Sequence, residues 1–558
     1  MASEDVMPPK GGIAGNAVSI AVISSFLFGY SICVLDSCGE LIPVVFGWCN
    51  SDWQSDCLAS RVCQSLINAT VYLGAACGAL LIGRPRIFAL GSRVQLCLAD
   101  GLFVFGAFTC AAAQGFQMLV IGRLVWGVGL GISAIAAPVY IAEVSPRERR
   151  GSNSALHGVF IAVGIFCSIT FGLPQDPPPS GPDDPLNGLN VWFWRLLLGF
   201  PILPAILQLI LFTKVLPVDP PSLLVQQGRV KEARDLLYRI YGQKPPTGAG
   251  AGQGGQGWRA GTSDGKVGRL ELQIKELAEA SAEAKAIPRI YIYQAICDPF
   301  LRCALFLGFG LAAFQQLCGI NALMSYSNSL FSEAGIPPEQ LTMASTAMAA
   351  ANVFVSVLSS KVVDNWGRRK LLLVGSLLQT IAMIIITAGT RLPPNWTGLV
   401  AVCAFTLFVV SFSAGLGAIT WLYLSEIYPM EIRGSALSTC GVINWLSCFI
   451  VVFGARFLSL HSACRLFGII SFFGLVGVYL WVVETKGTSM DDSPLTPRSQ
   501  RSSSTLLTPN SPKQVARDKD EDEDEDEDDD GDGDGDGDGD GDGDGDGDSD
   551  GDGDGDGD

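Results

Sequence analysis

Glu143-Val-Ser-Pro146-Arg-Glu-Arg-Arg150-Gly151 and Glu426-Ile-Tyr-Pro429-Met-Glu-Ile-Arg433-Gly434 share one spacing, E-x-x-P-x-x-x-R-G, about half a chain apart. Each copy follows a long apolar stretch and opens another, so each reads as a short charged turn between two hydrophobic helices. Charge repeated at the edges of apolar spans marks a duplicated membrane bundle. Bundles duplicated in this way move solutes, and that sets the functional class to test.

Composition agrees with a membrane protein. The 558 residues are 48% hydrophobic and only 16% charged, where soluble domains carry about 25% charge. The net charge of −18 is concentrated at one end. Asp518 to Asp558 hold 26 of the 55 acids and one of the 37 Lys and Arg, so the body keeps 36 bases against 29 acids. A mildly basic body fits basic loops on one side of a membrane, with the tail as a separate polyanion. No nucleic-acid partner is expected. Residues 1–12 are polar and the following apolar run lacks a small-residue cleavage site, so residues 13–35 are expected to remain as a span.

Twelve stretches reach the length of about 20 apolar residues that a crossing requires. They run 13–35, 64–83, 94–113, 116–141, 152–173, 192–214, 300–326, 341–362, 370–390, 397–423, 435–458 and 464–482. Arg and Lys gather after alternate spans, at Arg84, Arg86 and Arg93, at Arg147, Arg149 and Arg150, at Lys361, Arg368, Arg369 and Lys370, and at Arg433. The positive-inside rule then places both termini in the cytoplasm. Residues 1–214 form one six-helix half and 300–487 the other. Between them, 215–299 is a cytoplasmic loop with amphipathic helices at Ser222–Tyr241 and Leu270–Ala286, joined by a Gly-rich linker.

Of sixteen cysteines, at least ten lie within apolar spans as small hydrophobes. Cys38, Cys49, Cys57 and Cys63 surround the first outward loop. One disulfide is expected among them, and their spacing leaves the pairing open. Neither a metal nor a cofactor is suggested. An enzyme is not expected, because His157 and His461 belong to no nucleophile or metal pattern.

Taken together, the motifs resemble the sugar porters of the major facilitator superfamily, which include eukaryotic facilitative hexose transporters. The resemblance covers roughly residues 20–490. It rests on Gly122-Arg123, Pro138 to Pro146 with Arg150-Gly151, Gln315-Gln316-Leu-Cys-Gly319-Ile320-Asn321, Asp364-Asn-Trp-Gly367-Arg368-Arg369-Lys370, Trp421 to Glu426, Asn444-Trp445, and Glu484-Thr485-Lys486-Gly487. It implies an all-α polytopic membrane protein with twelve transmembrane helices in two six-helix halves, moving a hexose by alternating access. Glu143, Arg150, Asp364, Arg368, Arg369, Glu426, Arg433 and Glu484 would form a cytoplasmic gate. Gln315, Gln316, Asn321, Asn352, Trp421 and Asn444 would contact the sugar, with Phe412 adding apolar surface near Trp421.

The amides have a physical reading of their own. Left unpaired inside an apolar span, each costs on the order of 1–3 kcal/mol, so each needs a partner, a cavity or a ligand. An amide both donates and accepts, as a sugar hydroxyl does. Five helical residues turn through about 500°, which sets Gln316 and Asn321 roughly 140° apart. Both face one cavity only if the helix loosens between them, and Gly319 allows that.

Several positions depart from the family pattern. His157 is followed by Gly158 where a Gln is usual, which bears on sugar selectivity. A paired Tyr after Asn321 is reduced to Ser325-Tyr326, loosening the expected outer gate. Gly29-Tyr30 is followed by Ser31, not by the Asp of many proton-coupled members, and Asp36 is expected near the outer end within reach of water. Facilitated diffusion is therefore favoured over proton symport of a sugar or a polyol such as inositol. Residues 488–558 read as a disordered acidic cytoplasmic tail with Ser-Pro and Thr-Pro sites, open to cytosolic partners. A sugar sensor signalling through that tail is the rival reading.

Overall fold

The computed structural model describes residues 12–49, 56–84, 87, 89–175, 188–241, 270, 272–279, 282 and 292–486. The side chains of 362–365, Asp364 among them, lie outside that description, as do the Gly-rich linker, most of the expected 270–286 helix and the acidic tail. All of the described residues lie within one compact unit, Met1–Thr496.

Among the described residues, twelve helices are long and apolar enough to cross a membrane: Ile13–Cys33, Leu58–Ile82, Ser92–Ala111, Phe116–Val144, Arg150–Thr170, Trp192–Val215, Leu301–Ser325, Pro338–Lys361, Arg368–Gly389, Trp396–Ile427, Glu431–Ala455 and Leu460–Trp481. The second begins six residues earlier than hydropathy suggests. Its first two turns carry the polar residues Arg61 and Gln64, and Arg61 is held there by a bidentate bond to Asp56. Large apolar side chains such as Leu203, Phe354 and Phe473 point outward, as they must in a chain solvated by lipid.

Small residues let the spans approach closely. A Cβ placed on Gly127 in the fourth span would lie 2.0 Å from the Val71 carbonyl oxygen of the second. Without a hydrophobic drive between helices in lipid, such close backbone packing is what holds a bundle together. Arg123 is buried in the same region. Both its terminal nitrogens donate to the Ser31 carbonyl at 3.1 Å, and its guanidinium lies 5.3 Å from the Trp126 ring centre. Carbonyl bonds and a cation–π contact thus hold that charge and tie the fourth span to the first.

The two copies of the repeat have the same backbone path. Ser145 and Tyr428 are extended, and Pro146 and Pro429 follow in polyproline-like conformation before a helix restarts. A residue before proline is driven out of the helical region, so each turn is set locally. The third and ninth spans also start alike, on Gly91 (φ 81°, ψ 155°) and Gly367 (φ 85°, ψ 155°). The duplication read from the sequence is therefore a structural one.

Candidate functional site

The seventh span is not one helix. It runs Pro299–Leu317, breaks at Cys318 and Gly319, and resumes as Ile320–Ser325. Gly319 has φ 95°, and a Cβ there would lie 2.6 Å from the Phe467 ring. Only glycine meets both demands without strain. The break turns Asn321 back, so its Nδ2 donates to Gln316 Oε1 at 2.6 Å.

The eleventh span completes the cluster. Gln316 Nε2 donates to Asn444 Oδ1 at 3.1 Å, and Asn444 Nδ2 donates to Gln315 Oε1 at 2.8 Å and to the Ala312 carbonyl at 2.9 Å. Gln315 Nε2 donates at 3.1 Å to the carbonyl of Leu416. That carbonyl sits at a second break, where the tenth span interrupts at Gly415 (φ −108°, ψ −97°). Four buried amides thus satisfy one another with donors and acceptors that a polyhydroxylated molecule could replace bond for bond.

Two sequence candidates stand apart from this network. Asn352 Oδ1 accepts from Ser413 on the tenth span. Trp421 is 39% exposed, on the helix that follows the Gly415 break. Other groups, not among the sequence candidates for sugar contact, also join the helices here. Trp445 stacks on Tyr72 with centroids 6.2 Å apart and meets Phe28 at 5.7 Å. Both contacts join the two halves. Cys448, four residues after Asn444 on one helix face, has its sulfur 3.2 Å from Asn321 Nδ2; helical spacing was the signal that could have found it. His157 is hydrogen-bonded to Ser25 at 2.8 Å. A Cβ on Gly158 would meet nothing within 4 Å, so the missing side chain leaves open space.

At the end of the bundle that carries the repeat, the charged residues brace each half. Arg368 pairs with Glu426 at 3.0 Å, and Thr485 also donates to Glu426. Glu484 accepts the backbone N–H groups of Arg368 at 2.8 Å and Arg369 at 3.2 Å. Burial pushes the Glu484 carboxyl up, but the donors from Arg368, Lys486, Arg369 and Thr485 outweigh it and hold it below the usual range. In the first half, Glu143 accepts from Ser92 at 3.0 Å and from Ser222 at 2.5 Å. Arg93 bonds Asp219 at 2.7 Å, and Arg147 pairs with Glu276. Arg433 donates to the Tyr428 carbonyl, and Arg150 lies near enough to Glu143 to act on it electrostatically.

The far end carries bonds that cross between the halves. Asp36, after the first span, accepts from Ser327 Oγ at 2.7 Å and from the Asn328 N–H at 3.1 Å, while its carbonyl accepts from Asn328 Nδ2 at 3.2 Å. Ser329 donates to Glu40, and Arg456 reaches Gln64 at 3.2 Å. Ser325 donates to the Ile32 carbonyl at 3.2 Å. Two expectations need correction here. Asp36 is not within reach of water: it is 6% exposed, because the segment after the Gly319 break folds over it. The region after Asn321 is also not loose, since serines and an asparagine supply a polar seal. Of the four loop cysteines, Cys49 and Cys57 form the disulfide, with Cα atoms 6.0 Å apart, while Cys38 and Cys63 are free.

Comparison with known proteins agrees with this geometry. The family described as Sugar (and other) transporter matches residues 17–494. Hexose transporter 1 of Toxoplasma gondii is 31% identical over 494 residues, covering 87% of this chain and 82% of that protein. Plastidic glucose transporter 4 of Arabidopsis thaliana is 30% identical, covering 85% and 79% respectively. The inward open structure of the xylose transporter XylE from E. coli superposes with a TM-score of 0.66 at 21% identity, covering 86% of this chain and 98% of that one. That likeness shows the major facilitator fold, twelve spans in two six-helix halves. With its repeat, its broken seventh helix and its match over residues 17–494, the chain belongs to the sugar (and other) transporter family.

Proposed function

We propose that this integral membrane protein carries out facilitative transport of a glucose-like hexose by alternating access. The observation that carries the reading is the buried network of Gln315, Gln316, Asn321 and Asn444 across a broken seventh helix. A sugar entering between the halves exchanges these amide–amide bonds for amide–hydroxyl bonds. The net cost is small, while a solute without hydroxyls leaves the amides unpaired. Asn352, Trp421 and Phe412 join the site as the tenth span bends at Gly415. Open space at Gly158 supports tolerance of hexoses with an altered substituent, or of a cyclic polyol.

The positive-inside pattern supports cytoplasmic termini and a cytoplasmic repeat end, most simply in the plasma membrane. In that orientation the bonds around Asp36 close the outer side. Glu143, Arg150, Asp364, Arg368, Arg369, Glu426, Arg433 and Glu484 then act as the inner gate. The described members of this set bond within one half or to the 215–299 segment, and the set re-pairs across the halves as the inner side closes. Domain limits at 214, 299 and 487 follow from the same reading, as do lipid contacts around the spans and cytosolic partners for the acidic tail. Ser31 donates to the Phe28 carbonyl at 2.7 Å and offers no proton to trade, which supports uniport.

The test is uptake of radiolabelled D-glucose in transport-deficient cells, with and without a proton uncoupler, for wild type and Gln315→Ala. Saturable, uncoupler-resistant uptake that collapses in the variant is expected. Uncoupler-sensitive uptake overturns the uniport reading. Surface-expressed protein with no uptake rejects glucose, and retained signalling on sugar addition would then favour a sensor.

A further inference from the structure

We propose that Asp36 is a proton-operated latch: the outer gate takes up a proton as it closes, so external acid holds the transporter outer-closed. The inference rests on the alternating-access reading above and concerns a residue that no step of sugar binding uses.

The geometry has three parts. First, Asp36 lies outside the first span, which ends at Cys33, yet it is 6% exposed. Second, its partners are Ser327 and Asn328 of the other half, 291 and 292 residues away. A second shell backs them, since Ser345 of the eighth span donates to Asn328 Oδ1 at 2.7 Å and its hydroxyl lies 2.8 Å from that of Ser327. Third, these partners open the short helix Ser327–Glu333 that follows the seventh span, beyond the Gly319 break. Opening the outer side must pull Ser327 and Asn328 away from Asp36 and admit water.

Asp36 is therefore buried in one state and hydrated in the other, and the charged surroundings do not cancel the difference. On its own segment Glu40 adds a like charge, while Cys33 and Cys38 are neutral thiols. Just after the eleventh span, Arg456 reaches Glu40 at 3.9 Å and Ser329 at 3.2 Å. Arg123 of the fourth span is taken up by the Ser31 carbonyl. The seventh and eighth spans offer only hydroxyls and an amide. Burial pushes the Asp36 carboxyl up, the bonds from Ser327 and Asn328 pull it partly back, and Glu40 raises it again, leaving it at about 7.

The sign follows from linkage. The closed state holds the proton more tightly than the hydrated open state, whose carboxyl returns towards ~3.9. Closure is thus favoured as pH falls through the closed-state value. Between pH 8 and pH 6 the closed-to-open ratio should rise on the order of tenfold. Protonated Asp36 keeps the seal, because its O–H can donate to Ser327.

The test is hydrogen–deuterium exchange of residues 320–336 in nanodiscs from pH 6 to pH 8, with labelling times corrected for intrinsic exchange, on wild type and Asp36→Asn. Asn keeps the shape and an acceptor but does not titrate. Wild type should become about tenfold more protected on acidification from pH 8 to pH 6, the rise setting in near neutrality and approaching a one-proton slope, and Asp36→Asn should be flat and protected throughout. An unchanged slope in Asp36→Asn overturns the latch. If the variant does not fold, a wild-type profile that is flat or falls with acid is enough to overturn it. No sugar is needed, so a failed uptake assay and a failed latch are distinguishable.

Discussion

Ser92 and Arg368 occupy corresponding positions in the two halves: each follows a glycine at φ 81–85° and ψ 155°, and each bonds the glutamate of its own repeat. The correspondence continues one residue on. Arg93 donates to the Phe212 carbonyl and Arg369 to that of Tyr479. Glu426 is held by an ion pair and the Thr485 hydroxyl, whereas Glu143 is held by two hydroxyls, Ser92 and Ser222.

That asymmetry predicts unequal costs. Arg368 and Glu426 are only 15% and 12% exposed, and removing Arg368 leaves the Glu426 carboxylate without its counter-charge, with the Thr485 hydroxyl still donating to it. Arg368→Ala should cost about 2–3 kcal/mol, below the 3–5 of a fully buried pair. Ser92→Ala should cost about 1 kcal/mol, because Ser222 still serves Glu143. Thermal unfolding in detergent checks this, and an equal or larger drop for Ser92→Ala counts against it.

The amide network predicts a graded loss of sugar affinity. Asn444→Ala removes the partner of both Gln315 and Gln316, so KM for sugar uptake should rise about tenfold or more, a change of ~1.4 kcal/mol. Asn352→Ala, outside the network, should raise it less. The reverse ranking would move the site towards the tenth span.

Gly319→Ala should slow transport more than it weakens binding. The new Cβ adopts a left-handed φ at about 1–2 kcal/mol and meets the Phe467 ring. Adding Phe467→Ala relieves the contact but not the backbone. The double variant should therefore recover only part of the rate in a proteoliposome uptake assay. Full recovery would mean that the helix break needs space and not glycine's φ.

Glu484 predicts a stability change at acid pH. Its folded-state carboxyl lies below the usual range, so its contribution is present above the unfolded value of about 4.3 and is lost as pH falls through the lower folded value. The melting temperature should fall below roughly pH 4.5 in wild type, and less steeply in Glu484→Gln. Identical acid profiles would show that the backbone donors at Arg368 and Arg369 do not depend on the charge.

Much of this molecule is local and was therefore legible in the chain alone. Hydropathy is a sum over neighbouring residues, so twelve spans could be counted. The proline turns at Pro146 and Pro429 and the break at Gly319 follow from backbone sterics of single residues, and the repeat needs only comparison of the chain with itself. Partner choice is different, because it is decided between segments brought together by packing. Nothing near Asp36 in sequence points to Ser327, nothing near Glu143 points to Ser222, and four loop cysteines left the Cys49–Cys57 bridge undetermined. The helices, the loosening at Gly319 and the family resemblance are thus properties of local sequence. Which polar groups satisfy one another is settled by packing, because burial removes water and makes each choose a partner from across the fold.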